Sequence, residues 1–282
     1  WTRDGILVGN GSNELINATL LVTLQPGSTI AIPQPTFTLY KLMANTLGAT
    51  VEDVFLNATD MSFDIGALIN TAQRSDMLIL CSPNNPTGTL LGLSEAERII
   101  ESARGLVILD EAYHEFSEQT MLPLLERHEN LILLRTFSKA MSMAGLRFGY
   151  MLTHPRIARE IEKAKLPYSV NVFTLAAAEV VMENPEVLLD TVRKLIDERG
   201  RLARELEGRS QVETFPSWAN FILIRTAQPA GLLFDALYSD GVLVRDVSHY
   251  PLLDRALRVS VGTQNENTRF LSALDRALET LE

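Results

Sequence analysis

The stretch LILLRTFSKAMSMAGLRFGY, residues 131–150, says most about the fold of this chain. It begins with four apolar residues that predict a buried strand, Leu131–Thr136, and it ends inside a second predicted strand, Phe148–Thr153. The loop that joins the two strands contains Lys139. Because lysine is rarely buried without a partner, its position just after a buried strand needs an explanation.

Apolar runs of strand length alternate with helical patterns before this stretch. Continuous apolar strands separated by helices are typical of a mainly parallel sheet that is covered on both faces. We therefore predict an α/β fold with a mostly parallel sheet sandwiched by helices. The predicted strands are Thr29–Pro33, Val51–Leu56, Met77–Cys81 and Leu106–Asp110, and the predicted helices are Asn13–Leu24, Thr38–Leu47, Ile65–Ala72, Ser94–Ala103 and Pro155–Ala164.

Two more predicted helices, Val172–Met182 and Pro185–Leu206, follow before the pattern changes. Beyond them short strands and helices alternate, which predicts a smaller α+β domain. We expect a large domain over residues 1–206 and a small C-terminal domain over residues 207–282. The strands predicted there are Gln211–Thr214, Asn220–Ile224, Gly241–Val244 and Leu257–Val261, and the helices are Ala230–Tyr238 and Glu266–Leu281.

Composition excludes several classes of function. The 282 residues are 46% hydrophobic and 21% charged, as in ordinary globular proteins. The net charge of −10 argues against a nucleic-acid surface, since phosphate binding needs a basic face. No apolar run approaches the ~20 residues of a membrane helix. A single cysteine, Cys81, forbids an intrachain disulfide and fits a reducing cytoplasm.

The motif GNGSNELI, residues 9–16, places glycines and small polar residues before an amphipathic helix. Backbone N–H groups at a helix start bind anions, and a glycine such as Gly11 permits close approach. Ser12 and Asn13 would take part in such a site. The alternative is plain capping, with Ser12 or Asn13 as the N-cap residue.

The motif SPNNPTG, residues 82–88, lies where a predicted strand ends. In α/β folds this edge of the sheet binds ligands. The prolines restrict the loop, and Asn84 and Asn85 can donate hydrogen bonds into a site. The alternative is an ordinary turn rich in asparagine and proline.

In the motif LVILDEAYHEF, residues 106–116, a fully apolar predicted strand ends at Asp110. A carboxylate in that position is desolvated and favours a cationic partner. It would suit a protonated nitrogen of a ligand, with the hydroxyl of Tyr113 close by. The alternative is an N-cap for the next segment.

In the opening stretch, Thr136, Ser138 and Arg147 can together bind a phosphate through two hydroxyls and a guanidinium. Lys139 would then stand beside that ligand, whereas alone it would be read as a surface lysine. One ligand accounts for all four motifs. Pyridoxal phosphate has a phosphate, a pyridine nitrogen, a phenolic oxygen and an aldehyde.

These motifs, in this order, resemble those of the fold-type I pyridoxal-phosphate aminotransferases of class I and II. The segments SPNNPTG, DEAY and TFSKAMSMAGLRFGY carry the resemblance, which extends from Gly9 to the C-terminus. The tail VLVRDVSHYPLLDRALRVSVGTQNEN, residues 242–267, is similar to the histidinol-phosphate aminotransferase branch.

The resemblance implies a role for each matching residue. Lys139 would bind the cofactor aldehyde covalently and move a proton, Asp110 would pair with the pyridine nitrogen, and Tyr113 and Asn85 would bond the phenolic oxygen. Phe37 would stack on the ring. The phosphate would be held by Gly11, Ser12, Asn13, Thr136, Ser138 and Arg147.

The resemblance also implies the substrate side. Arg258 would bind a carboxylate, and Arg245, Asn220 and Asn85 would line the same side. The expected reaction converts histidinol phosphate and 2-oxoglutarate to imidazole-acetol phosphate and glutamate, in histidine biosynthesis. The alternatives are an aminotransferase for aromatic amino acids, a threonine-phosphate decarboxylase, or a catalytically impaired, truncated cofactor-binding protein.

The resemblance further implies a homodimer that acts on small molecules. From the composition we expect a cytoplasmic protein with no nucleic-acid or membrane partner, and we expect no metal site. Members of the family carry an N-terminal segment before the region that begins here with Trp1. We therefore expect an upstream segment that this chain lacks.

Overall fold

Seven strands form the larger of two sheets in the computed structural model, which describes residues 1–281. The strands are β1 (Ile6–Asn10), β2 (Thr29–Gln34), β3 (Thr50–Phe55), β4 (Met77–Cys81), β5 (Leu106–Asp110), β6 (Leu131–Thr136) and β7 (Phe148–Thr153). Their order in the sheet is β1-β7-β6-β5-β4-β2-β3. The pairs from β3 across to β6 are parallel, whereas β7 is antiparallel to both of its neighbours. The predicted α/β class with a mostly parallel sheet is therefore confirmed.

Both faces of this sheet are covered, because each central strand alternates its side chains between two cores. In β6, Leu131 and Leu133 join one hydrophobic cluster while Ile132 and Leu134 join the other. The associated helices are α1 (Ser12–Thr23), α2 (Leu39–Thr46), α3 (Ile65–Ala72), α4 (Leu93–Ser102) and α5 (Pro155–Glu162).

The second sheet is antiparallel and has four strands in the order β10-β11-β9-β8. The strands are β8 (Val212–Thr214), β9 (Phe221–Thr226), β10 (Arg245–Asp246) and β11 (Ala256–Ser260), with helices α8 (Ala230–Ser239) and α9 (Gln264–Leu281). Helices α6 (Val172–Glu183) and α7 (Pro185–Glu207) join the two parts. Leu202 and Leu206 of α7 belong to the core of the second sheet, while Val192 of the same helix packs beside Tyr113. The domain boundary near Glu207 thus stays a prediction.

Two element predictions differ from the structure. No strand was predicted before α1, yet β1 pairs with β7 along the edge of the sheet. The strand predicted at Gly241–Val244 is wrong, and the strand there is Arg245–Asp246. Gly241 has a φ of +73°, and its N–H donates to the carbonyl of Tyr238, so this segment ends helix α8. The other predicted elements differ at their ends by at most two residues.

Within residues 1–281, no helix has both the length and the apolar character needed to cross a membrane.

Candidate active site

A cavity lies at the carboxyl ends of β4, β5 and β6 and beside the first turn of α1. All residues predicted to hold the cofactor line it except Gly11, which adjoins it. The lining residues are Ser12, Asn13, Phe37, Tyr40, Cys81, Asn85, Asp110, Ala112, Tyr113, Thr136, Ser138, Lys139 and Arg147. The structure therefore brings the four sequence motifs into one place.

The start of α1 forms one end of the cavity. Gly11 is its N-cap, with a φ of +75° and no side-chain capping bond, so the alternative in which Ser12 or Asn13 is the N-cap is wrong. A Cβ on Gly11 would collide with the guanidinium of Arg147, and a Cβ on Gly149 would collide with the backbone nitrogen of Ser12. Gly149 is thus required by close packing against backbone, and Gly11 is favoured by its positive φ, which leaves the helix start open to an anion.

Arg147 is held against this helix start by the opening stretch. Its Nη1 donates to the Ser138 hydroxyl and to the Ala144 carbonyl, both at 3.0 Å. The Ser138 N–H donates to the Thr136 hydroxyl at 3.1 Å. A guanidinium, two hydroxyls and a helix start consequently face the same region, which is a chemistry suited to phosphate.

Asp110 is buried at the end of β5. Its Oδ1 accepts the Ala112 N–H at 3.0 Å, and its Oδ2 accepts the Tyr40 hydroxyl at 2.7 Å. Burial raises the pKa of Asp110 despite these two bonds, because the charged form is desolvated. The next helical segment, His114–Phe116, has Tyr113 as its N-cap, so the alternative N-cap role for Asp110 is wrong.

Lys139 faces the cavity with its Nζ 5.3 Å from the ring centroid of Tyr113. Its pKa is lowered, first by burial and next by the positive charge of Arg258, while Asp110 opposes the change. A neutral amine is nucleophilic, so this environment suits covalent bonding to a carbonyl group. The Lys139 side chain as a whole is exposed to solvent, because the cavity that it lines is open, but it lies beside Tyr113 in that cavity and not on the outer surface.

The two asparagines of the SPNNPTG loop make different contacts. Asn84 is fully buried, accepts the Thr36 hydroxyl at 2.6 Å and donates to the Pro35 carbonyl at 2.9 Å. It therefore holds the loop against the end of β2. Asn85 faces the cavity, and its Oδ1 accepts a hydrogen bond from Nη1 of Arg258.

The residues predicted to bind the substrate do not all line the cavity. Arg258 contacts Asn85, and its guanidinium carbon lies 4.7 Å from the ring centroid of Phe221. Within the described chain its buried Nε has no hydrogen-bond partner. Arg245 is exposed and lies opposite Arg258 in the β10–β11 register. Of the four predicted substrate residues only Asn85 is among the described residues that line the cavity, and Arg258, Arg245 and Asn220 are not.

Sequence reasoning missed Tyr40, Cys81 and Ala112 as residues of the cavity wall. Tyr40 lies three residues after Phe37, and no local motif marks it, because a tyrosine on the inward face of a helix is ordinarily a core residue. Cys81 ends β4, where the strand-end rule already pointed to a ligand site. Burial and the charge of Asp110 raise the pKa of its thiol to about 12, so it stays protonated.

Comparisons with known proteins agree with this arrangement. The family model described as "Aminotransferase class I and II" matches residues 1–274. A histidinol-phosphate aminotransferase from Chlorobaculum tepidum is 41% identical over 274 residues, which are 96% of this chain and 78% of that protein.

Solved structures of proteins with the same name have the same fold. The histidinol-phosphate aminotransferase from Clostridium acetobutylicum superposes with a TM-score of 0.92 at 27% identity, covering 98% of this chain and 84% of that one. The enzyme of the same name from Sinorhizobium meliloti, in complex with pyridoxal-5'-phosphate, gives 0.89 at 25% identity, covering 99% and 78%. This chain therefore belongs to the class I and II aminotransferase family.

Proposed function

We propose that this aminotransferase transfers the amino group of histidinol phosphate to 2-oxoglutarate with pyridoxal phosphate as its cofactor, in histidine biosynthesis. The products are imidazole-acetol phosphate and glutamate. The single observation that carries the proposal is the convergence of Lys139, Asp110 and Arg147 on one cavity. The names of the relatives at about 40% identity support this choice of substrate.

The residues present fit pyridoxal phosphate at each of its functional groups. The phosphate suits the open start of α1 beside Arg147, where Gly11 and Gly149 leave room that any Cβ would fill. The ring nitrogen suits Asp110, a buried carboxylate that has only neutral hydrogen-bond donors. The phenolic oxygen suits Tyr113 and Asn85, and Phe37 offers its ring to one face of the cofactor.

The bound cofactor supplies an aldehyde that takes up the amino group and a ring that withdraws electrons from the reacting carbon. Lys139 would hold the cofactor through its Nζ. As a neutral amine, that Nζ would also move the proton at the substrate α-carbon. Asp110 would pair with the protonated ring nitrogen, since a buried carboxylate favours a cationic partner.

On the substrate side, we propose that Arg258 and Arg245 bind the carboxylate of glutamate and the phosphate of histidinol phosphate in turn. Their opposition in the β10–β11 register, together with the unpartnered Nε of Arg258 among the described residues, supports this pair. Asn85 and Asn220 would complete the substrate side.

The mechanism is tested by borohydride reduction of the cofactor-loaded protein followed by peptide mass spectrometry. The expected result is a reduced pyridoxyl group on Lys139. A label on another lysine, or a protein with no label, would contradict the proposed role of Lys139.

The substrate is tested by steady-state kinetics with histidinol phosphate, phenylalanine and threonine phosphate as alternative donors. We expect the highest kcat/KM for histidinol phosphate. A higher value for phenylalanine would favour an aromatic aminotransferase, and release of carbon dioxide from threonine phosphate would favour a decarboxylase. No turnover of any donor by a protein that binds the cofactor would favour the catalytically impaired alternative.

We also propose a homodimer located in the cytoplasm. The dimer is supported by three exposed apolar side chains, Val172, Phe173 and Val180, which helical spacing places on one side of α6 and which we call the α6 face. Phe173 is 80% exposed and Val172 is 71% exposed. Large apolar side chains exposed on one side of a helix are typical of a surface that another protein covers. The single buried cysteine supports the location.

A further inference from the structure

Tyr40 lines the cavity, and the proposed function does not yet use it. It is 1% exposed, and its hydroxyl donates to Oδ2 of Asp110 at 2.7 Å. Its ring meets that of Phe37 edge to face, with centroids 5.5 Å apart. The N-terminal part of α2 therefore contacts both the predicted stacking ring and the predicted partner of the ring nitrogen.

Asp110 differs from the carboxylate next to it in the chain. Glu111 is equally buried, but it forms an ion pair with Arg135 at 3.0 Å. Asp110 forms no ion pair within the described residues, and its oxygens accept only from the Ala112 N–H and the Tyr40 hydroxyl. Neutral donors fix the orientation of a carboxylate without cancelling its charge, so the charge stays available to a cationic ligand group.

Packing alone does not explain a tyrosine at this position. A phenylalanine would fill the same space and would avoid burying a hydroxyl. The hydroxyl has a short bond to a charged acceptor, and hydrogen bonds to charged groups are stronger than those between neutral groups. Among the described residues, Tyr40 thus supplies the hydrogen bond that Oδ2 of Asp110 accepts.

We infer that Tyr40 is a positioning residue that holds the Asp110 carboxylate, oriented and charged, for the ring nitrogen of the cofactor. The inference rests on the proposed function, since it requires pyridoxal phosphate in this cavity. Without the Tyr40 hydroxyl, Asp110 would lose one of its two bonds and would be a weaker partner for the ring nitrogen. The contribution of Tyr40 is therefore specific for ligands that have this nitrogen.

The test compares Tyr40→Phe with the wild-type protein in binding two ligands. One is pyridoxal phosphate, and the other is its 1-deaza analogue, in which a C–H group replaces the ring nitrogen. Titration of the cofactor-free protein gives the Kd of each. We expect Tyr40→Phe to raise the Kd of pyridoxal phosphate about tenfold and that of the analogue less than about twofold.

Two controls make the comparison specific. Tyr150→Phe removes the hydroxyl of a tyrosine that receives a bond from Arg135, and it should change neither Kd. In an Asp110→Asn background, Tyr40→Phe should have no further effect on pyridoxal phosphate, because the two residues act as one unit.

An equal rise in the Kd of both ligands in Tyr40→Phe would mean that Tyr40 acts only through packing. An unchanged Kd for pyridoxal phosphate would mean that the Tyr40 hydroxyl has no role in cofactor binding. Either result overturns the inference alone, provided that wild-type protein binds the cofactor and is labelled on Lys139. If the wild-type protein does not bind pyridoxal phosphate, the proposed function fails and the inference fails with it.

Discussion

At the scale of the residue, the amine of Lys139 is placed where burial and Arg258 oppose its positive charge. A lowered pKa means that the neutral amine is present at lower pH than in a lysine without these neighbours, whose pKa is about 10.4. We predict that acylation of Lys139 in the cofactor-free protein follows a pH midpoint below that value. Mass spectrometry of the modified peptide, as a function of pH, measures this midpoint.

A second variant tests the contribution of Arg258 to the lowered pKa of Lys139. Arg258→Ala removes a positive charge near the amine, so the midpoint should move to higher pH. Arg225→Ala removes an arginine of the second sheet that is paired with Glu213, and it should leave the midpoint unchanged. A midpoint that moved equally in both variants would contradict the assigned cause.

Asp110 gives a prediction about stability. Its folded-state pKa is raised by burial, so its protonated form favours folding, and this contribution is lost as pH rises through the folded pKa. Asp110→Asn resembles the protonated form. We predict that it raises the Tm of the cofactor-free protein by about 2 °C at pH 7–8 and that the gain shrinks toward acid pH.

Calorimetry of the cofactor-free variants from pH 8 downward measures this gain. Asp197→Asn, which changes an exposed aspartate on α7, is the matched control and should leave the Tm unchanged. A gain for Asp110→Asn that grew as the pH fell would have the wrong sign and would reject the argument.

Individual site residues were predictable where the sequence carried a local motif. Lys139 and Asp110 each follow an apolar strand, and strand ends of an α/β sheet meet at one edge. Tyr40 carried no such mark, because a tyrosine on a helix face is read first as core. Its bond to Asp110 joins two positions 70 residues apart, which no local pattern reveals.

At the scale of the element, the contact between α1 and β7 depends on Gly149. A Cβ there would collide with the backbone nitrogen of Ser12 and push the helix start away. We predict that Gly149→Ala lowers the free energy of unfolding by about 1–3 kcal/mol, as overpacking does, and weakens binding of inorganic phosphate to the cofactor-free protein. Urea unfolding and a phosphate titration measure the two effects.

Gly145→Ala is the control for this prediction. Gly145 lies in the loop that precedes β7, and no atom lies within 4 Å of a Cβ added there. The change in unfolding free energy should stay within about 0.5 kcal/mol, and phosphate binding should not change. Equal losses in the two variants would show that the close approach of β7 to α1 is not what shapes this end of the cavity.

The elements that sequence reasoning placed well are those with long apolar runs, such as β4 and β5, which are buried on both faces. Strand β1 was missed because only its alternate residues, Leu7 and Gly9, are buried and the run is short. The segment at Gly241–Val244 was mistaken for a strand because its valines and leucine match a strand pattern. Its backbone is instead used to end a helix, and Leu243 is exposed.

At the scale of the whole molecule, the α6 face predicts self-association. Phe173→Glu places a charge on this face, which would be costly to bury in an interface. We predict that the variant is monomeric at concentrations at which the wild-type protein is a dimer. Light scattering over a range of protein concentrations measures the mass.

Leu232→Glu, at an exposed leucine of α8 outside this face, is the matched control and should remain dimeric. A wild-type protein that stays monomeric at every concentration, or a Phe173→Glu variant of unchanged mass, would refute the proposed dimer.

The pairing of β1 with β7 also governs when the cavity can form during synthesis. Asn10 pairs with Phe148, so among the described residues β1 has no strand partner until β7, more than 130 residues later, has been synthesised. Until then α1 lacks Gly149 and Arg147 beside its first turn, although the helix itself was made early. Pairings this distant along the chain form slowly. Capture of the cofactor would therefore report that the larger sheet has closed, and a nascent chain arrested before β7 should not retain it.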